Sequence, residues 1–273
     1  MSEAFSSKNY LRGIPFPFCA GCGGTTVSTC FQKAVHKLGY MDFKKFVFCS
    51  GIGCSSWIPS PHFKADSIHT THGRSIAVAT GVKLMRPDLK VVVFGGDGDI
   101  LGIGVAHLIH AARRNLGVTV IMINNMIYGM TGGQVAATTP ITTKTTTTPY
   151  GGFEPQLDAV KLVTSAGASY AARWTTAHPN QLTESIEKAL TMKGFGFVEV
   201  VSQCPTAYGR RAGFGNAGEM LQWLKRISVT RKEAKGLSPK ELEGKLVVGE
   251  FVCNNFPTLS ERMRRVLKVA SSD

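Results

Sequence analysis

An α/β architecture, a parallel sheet flanked by helices, is predicted by two features of this 273-residue chain. Short apolar runs alternate with segments of helical periodicity between residues 25 and 201, and several of these runs end in glycine-rich turns. An apolar content of 43% over this length is enough for a substantial core.

The first helix is expected over 25–38, where Val27, Cys30, Phe31, Ala34, Val35 and Leu38 share one face, so Cys30 is placed in the core. A strand at 46–49 leads into Gly51-Ile52-Gly53-Cys54-Ser55-Ser56. A helix at 75–85 precedes a strand at 91–94, which runs into Gly95-Gly96-Asp97-Gly98-Asp99. A helix at 104–114 and a strand at 118–123 then deliver Asn124-Asn125-Met126-Ile127. The series closes with a helix at 158–166, a strand at 169–172, a helix at 179–192 and a strand at 197–201, shortly before Cys204-Pro205. Residues 1–224 are read as one α/β domain. The stretch 225–273, rich in Lys and Arg at its start, is read as an extension, helical or partly disordered, that contacts another subunit. Threonine dominates 138–148, which by composition is a solvated loop and by position a segment that lies over a site or a partner.

The turn after the 91–94 strand carries the chemistry. An Asp between two glycines is most often only a turn. Here a strand precedes it, and a second strand ends in Asn124-Asn125. Strand ends of an open α/β sheet collect ligands, and magnesium takes hard oxygens in octahedral array. Asp97, the Asn125 side chain and a nearby carbonyl, with two phosphate oxygens, would make a magnesium–diphosphate clamp. A dinucleotide fingerprint fits poorly, because Gly96, Gly98 and Gly102 are spaced one residue too widely and enclose an acid.

Seven cysteines supply the second signal. Cys19 and Cys22 form a CxxC beside glycines, Cys54 sits in the glycine-rich turn, and Cys204 follows a strand. Four thiolates at turns can hold one [4Fe-4S] cluster or one zinc ion. A thioredoxin-like dithiol is an alternative for the CxxC alone, and structural zinc is weakened because Cys54 and Cys204 are unpaired in sequence. Disulfides are not expected, since no secretory signal is recognised.

The formal charge of +13 suggests anionic partners, but no nucleic-acid motif accompanies it. No apolar run approaches the roughly 20 residues of a membrane span, so a cytoplasmic protein without membrane contact is expected.

Taken in order, Cys19-x-x-Cys22-Gly23, Gly53-Cys54-Ser55-Ser56, Thr71-His72-Gly73-Arg74, Gly96-Asp97-Gly98-Asp99, Tyr128-Gly129-Met130-Thr131-Gly132-Gly133-Gln134 and Gln203-Cys204-Pro205-Thr206 resemble one family. It is that of the β subunits of 2-oxoacid:ferredoxin oxidoreductases, nearest the 2-oxoglutarate branch, over roughly residues 15 to 211. The resemblance implies a thiamine diphosphate-binding fold with Gly96, Asp97, Gly98, Asp99, Asn125, Ile127, Thr131 and Gly132 at the cofactor. Magnesium would be held by Asp97, Asn125 and the Ile127 carbonyl. A [4Fe-4S] cluster would be held by Cys19, Cys22, Cys54 and Cys204. The implied reaction decarboxylates a 2-oxoacid, passes electrons through the cluster to ferredoxin and transfers the acyl group to coenzyme A. The family's activating glutamate has no match here, which implies a partner α subunit that supplies it, with γ and δ subunits expected beside it.

His72 and Arg74 are taken as candidate catalytic contacts, Arg74 because a cation near a helix N-terminus suits an anion better than the helix. Trp57 and Met130 are taken as the substrate pocket. Trp57 stands where 2-oxoglutarate-type relatives offer a basic residue, so a branched or aromatic 2-oxoacid is weighed beside 2-oxoglutarate. Two other classes stay open: a redox-neutral thiamine diphosphate decarboxylase or carboligase subunit, and a non-enzymatic metal or electron-transfer subunit.

Overall fold

The computed structural model describes residues 4–271. In chain order its elements are α1 (Gly24–Lys37), β1 (Phe46–Ser50), β2 (Asp66–His69), α2 (Ser75–Met85), β3 (Lys90–Gly96), α3 (Val105–Arg114), β4 (Val118–Asn124) and α4 (Ala159–Ala166). Then follow β5 (Tyr170–Thr175), α5 (Pro179–Thr191), β6 (Gly196–Val201), α6 (Ala217–Ile227), β7 (Ser228–Thr230), α7 (Arg231–Ala234), β8 (Leu246–Cys253) and α8 (Leu259–Ala270). The strands form one sheet in the order β2-β1-β3-β4-β6-β5-β8-β7.

Every pair from β2 through β5 is parallel, and all strands of the expected series appear. Such strands read as continuous apolar runs because both faces are covered. Alternate residues divide between two cores. Phe48, Val92, Phe94 and Ile121 pack with Val27, Phe31 and Ile186 of α1 and α5. Val91, Val93, Val120 and Phe197 pack with Ile76, Leu108 and Val160 of α2, α3 and α4. Phe31 is fully buried, with its ring centroid 5.0 Å from that of Phe94 and 5.7 Å from that of Phe48, and Cys30 is buried beside it.

The parallel register sets four strand ends side by side. Ser50 of β1 pairs with Phe94 of β3, Gly96 of β3 with Ile123 of β4, and Asn124 of β4 with Val201 of β6. The turns after β1, β3, β4 and β6 therefore emerge at one edge. From β1 the chain steps outward to β2 and then returns across β1 to β3. That reversal makes the β1/β3 crevice the topological switch point, where ligands of open α/β sheets bind.

Two expectations change. The segment from 225 onward, read as helical or partly disordered, contributes two strands as well as helices. β8 runs antiparallel to β5, with Tyr170 opposite Cys253, and β7 pairs with β8. β2 escaped the periodicity because it is a short, polar, mostly exposed edge strand. Among the described residues no helix is long and apolar enough to cross a membrane.

Candidate active site and cysteine cluster

The β1/β3 crevice holds a narrow cavity lined by Gly96, Asp97, Gly98, Asn125, Ile127 and Thr131, together with Cys54, His72, Asp99 and Met130. Gly98 is required there by close approach, since a Cβ on it would come within 2.3 Å of the Tyr128 ring. The Tyr128 hydroxyl donates to the Gly98 carbonyl at 3.0 Å, which locks the glycine turn to the loop after β4.

Asp97 and Asp99 lie two residues apart and are both 2% exposed, yet they are held differently. One Asp99 oxygen accepts from the backbone N–H of Ile52 at 3.3 Å and of Gly73 at 2.7 Å, and stands 2.7 Å from His72 Nδ1. Asp99 thus ties the turns after β1 and β2 to the turn after β3, and Gly51 leaves it room, since a Cβ there would meet its carboxylate at 2.1 Å. Asp97 has no cationic side chain beside it among the described residues. Burial pushes its carboxyl up to about 6, moderated by hydrogen bonds from the Thr138 hydroxyl and the Gly98 N–H. A buried acid without a counter-charge is the arrangement that a divalent cation offsets.

The Thr-rich segment is the source of that hydroxyl and is solvated only in part, with Thr142, Thr146 and Thr147 exposed. Thr138, Thr139 and Thr145 are buried, and Thr138 Oγ1 donates to Asp97 Oδ2. Thr139 Oγ1 donates to the Met126 carbonyl at 2.7 Å, and the Thr146 N–H to the Gly133 carbonyl at 2.9 Å. Threonine is frequent here because its hydroxyls satisfy backbone groups that no sheet ladder reaches.

The loop after β4 turns on Met126, which adopts φ +64°. A left-handed non-glycine residue persists only where its surroundings hold it. Asn124 Oδ1 accepts from the Met126 N–H at 3.1 Å, and Asn124 Nδ2 donates to Glu199 Oε1 at 2.8 Å. Glu199 Oε2 in turn accepts from Arg173 Nε at 2.7 Å, and Arg173 Nη2 reaches Asp158 at 2.5 Å. This buried chain across β4, β6 and β5 fixes the turn that presents Asn125 and Ile127. Sequence reasoning missed it, although a Glu inside Val198-Glu199-Val200 and an Arg after Ala171-Ala172 were the available signal.

Asn125 borders a second hollow with Cys22, Cys54, Ser55 and Gln203, so Cys54, Ser55 and Asn125 are shared walls between it and the first cavity. Cys22 is pushed up to about 11 by burial first, then by the neighbouring thiols of Cys204, Cys54 and Cys19, against a backbone hydrogen bond at Gly24. Burial also raises Cys54, with Cys204 and Cys19 adding to it. Cys22 therefore lies near Cys19, Cys54 and Cys204, and Cys54 near Cys19 and Cys204, though no group of three or more His, Cys, Asp or Glu closes to metal-holding geometry among the described residues. Their all-sulfur donor set suits an iron–sulfur cluster or zinc. Cys30 and Cys49 are buried in the cores, and Cys253 ends β8.

Not every expected residue reaches the cavity. Arg74 faces solvent, with Nη1 3.2 Å from His107 Nε2 on α3, and does not line it. Trp57, 39% exposed on the 3-10 turn after Cys54, does not line it either. Met130 does, at its open side. Thr131 lines it and is braced by Gln134, its Oγ1 donating to Gln134 Oε1 at 2.6 Å. The carbonyl of Gly132 accepts from Arg211 Nη2 at 2.8 Å.

A glycine-cradled acid and an asparagine at the switch point define a class, the cofactor-binding half of a thiamine diphosphate enzyme. Residues 51–200 match the family described as thiamine pyrophosphate enzyme, C-terminal TPP binding domain. Over 97% of this chain and 98% of the relative, 50% of residues are identical to 2-oxoglutarate synthase subunit KorB of Methanocaldococcus jannaschii. Identity to the 2-oxoacid:ferredoxin oxidoreductase subunit beta of Saccharolobus solfataricus is 42%, over 69% of this chain and 62% of that one. A solved structure of 2-oxoglutarate:ferredoxin oxidoreductase from Magnetococcus marinus, with 2-oxoglutarate, coenzyme A and succinyl-CoA bound, matches with a TM-score of 0.86 and 33% identity. That match covers 98% of this chain and 92% of that one. The chain belongs to the 2-oxoacid:ferredoxin oxidoreductase β subunits.

Proposed function

We propose that this β subunit holds magnesium and the diphosphate of thiamine diphosphate at Asp97, Asn125 and the Ile127 carbonyl, and a [4Fe-4S] cluster at Cys19, Cys22, Cys54 and Cys204. The observation that carries this reading is the shared wall of Cys54, Ser55 and Asn125 between the two hollows. When bound, thiamine diphosphate supplies the electron sink for loss of carbon dioxide from a 2-oxoacid, and the cluster takes up electrons.

The chain's own residues do the positioning. Gly96 and Gly98 admit the diphosphate close to the backbone. Asp97 supplies a buried anion for the metal, and Thr138 fixes its orientation. Asp99 and His72 hold the neighbouring turns together. The acids lining the cavity are Asp97 and Asp99, with no glutamate among the lining residues. Glu199, the nearby buried glutamate, is occupied by Arg173 and Asn124. These facts support an activating glutamate donated by a partner α subunit in a hetero-oligomer.

For substrate we favour 2-oxoglutarate with coenzyme A, and ferredoxin as acceptor, on the strength of the 2-oxoglutarate synthase relatives and the solved complex. The branched or aromatic alternative rested on Trp57 and Met130 as an apolar pair, of which Met130 lines the cavity and Trp57 does not. The test is an anaerobic assay of the assembled enzyme with 2-oxoglutarate, coenzyme A and ferredoxin, wild type against Cys54→Ser. Succinyl-CoA formation coupled to ferredoxin reduction is expected in the wild type and is expected to be lost in the variant. Equal coupled activity in both would remove the cluster from the reading, and preference for a branched or aromatic 2-oxoacid would remove the substrate.

A further inference from the structure

The amino edge of the sheet carries a cavity of about 320 Å³, walled by the start of β3, the residues between α2 and β3, the end of α5 and the first turns of α8. The parallel strands run away from it, so it lies at the opposite edge from the glycine-cradled site. Four cations line it: Lys83, Lys90, Lys193 and Arg264. Its two acids are already engaged. Arg86 holds Asp88 through Nε and Nη2 at 2.9 and 2.8 Å, and Glu261 closes the capping box of α8 on Thr258. None of the four cations forms an ion pair among the described residues.

The two inner ammonium groups are fixed in place. Lys83 Nζ donates to the carbonyls of Pro87 and Leu89 at 2.9 and 2.7 Å, and Lys90 Nζ to that of Leu190 at 2.8 Å. An ammonium has three donors, so one remains on Lys83 and two on Lys90. Burial lowers both lysines, and Lys90 adds to the effect on Lys83. The α8 wall is latched to the core, with Asn115 Nδ2 donating to the carbonyls of Phe256 and Pro257 at 2.9 and 3.2 Å.

We propose that this cavity binds a small molecule bearing a phosphate or diphosphate. Lysines act as compact point charges suited to phosphate oxygens. Asp88 acts on Lys83, and Glu261 on Lys193 and Arg264, yet four cations against two carboxylates leave a surplus that a phosphoryl dianion balances. The volume falls near the roughly 300 Å³ lower end of small-molecule pockets. Free phosphate and a nucleotide share this chemistry.

The test is lysine acylation footprinting, read by mass spectrometry, on the assembled enzyme saturated with thiamine diphosphate and magnesium. Inorganic phosphate and ADP are the probes. Lys83, Lys90 and Lys193 are expected to lose reactivity about tenfold when a probe stands tenfold above its dissociation constant. Lys44 and Lys161, exposed elsewhere, are expected to keep theirs. The double variant K193Q/R264Q changes only exposed side chains and is expected to abolish the protection of Lys83 and Lys90 at the same probe concentration. Protection by phosphate assigns the phosphoryl group alone, and protection by ADP only assigns a nucleotide. Unchanged labelling with both probes, or protection that survives in K193Q/R264Q, overturns the site.

Discussion

The two edges of the sheet are built from opposite chemistry. At the carboxyl edge the key charges are negative, fully buried and cradled by glycines, beside four thiols. At the amino edge they are positive, half-buried or exposed, and tied to carbonyls. The difference follows from strand direction and from what each edge must hold. Turns leaving parallel strands can bring small residues and single acids to one cavity wall, as Gly96, Asp97 and Gly98 show, whereas the amino edge receives the ends of helices and the latched C-terminal segment. The first edge gathers its residues on turns that directly follow strands, and the second on strand starts, helix ends and the C-terminal segment.

Perturbations of the carboxyl edge should separate in size. Asp97→Ala should have the largest effect, lowering magnesium-dependent cofactor affinity more than about 100-fold, beyond the range for a ligand's supporting partner. Calorimetry on the assembled enzyme would measure this. Equal affinity would mean that the buried acid serves the fold alone. Glu199→Ala should come next, because it leaves the Arg173 guanidinium with Asp158 as its one acid and the Phe251 ring. A broken buried pair costs about 3–5 kcal/mol, and denaturant unfolding should register the loss. An undiminished midpoint would mean that the chain from Arg173 to Asn124 does not hold the turn at Met126.

Thr138→Val is expected to weaken magnesium affinity about 10- to 100-fold while leaving the fold intact, the size typical of a lost supporting hydrogen bond at a ligand. Titration with manganese as a paramagnetic substitute would follow it. The smallest effect lies at Asp158. Burial alone would raise this carboxyl, but Arg173 and the Lys161 N–H hold it below its usual value. Its contribution is therefore full above the unfolded value near pH 4 and is lost as pH falls through the lower folded value. Asp158→Asn should be less stable than wild type at pH 7, with the two converging in acid. Parallel acid-unfolding curves that keep a constant gap would contradict that.

Much of the site was legible because its signals are local. Gly95-Gly96-Asp97-Gly98-Asp99 follows directly on its strand, and Asn124-Asn125 on the next, so register alone sets them beside each other. The cysteines were legible as residues in turns, although only the fold brings Cys204 beside Cys22 and Cys54. What escaped is non-local. Thr138 meets Asp97 from 41 residues away, and composition reads its segment as a loop. β8 earns its place by antiparallel pairing with a strand some 75 residues earlier in the chain, a partner that no periodicity names. Arg74 sits near a helix start as expected, yet the backbone turn at Gly73 sends it toward His107 and away from the cavity.

The central claim is that one chain places a sulfur-ligated electron carrier against a diphosphate site. The most direct measurement is iron, sulfide and zinc content with electron paramagnetic resonance on the anaerobically purified, reduced enzyme, wild type and Cys204→Ser. About four irons and four sulfides assigned to this chain, with a reduced-cluster signal that Cys204→Ser abolishes, are expected. Zinc without sulfide, or an unaltered signal in the variant, would contradict it.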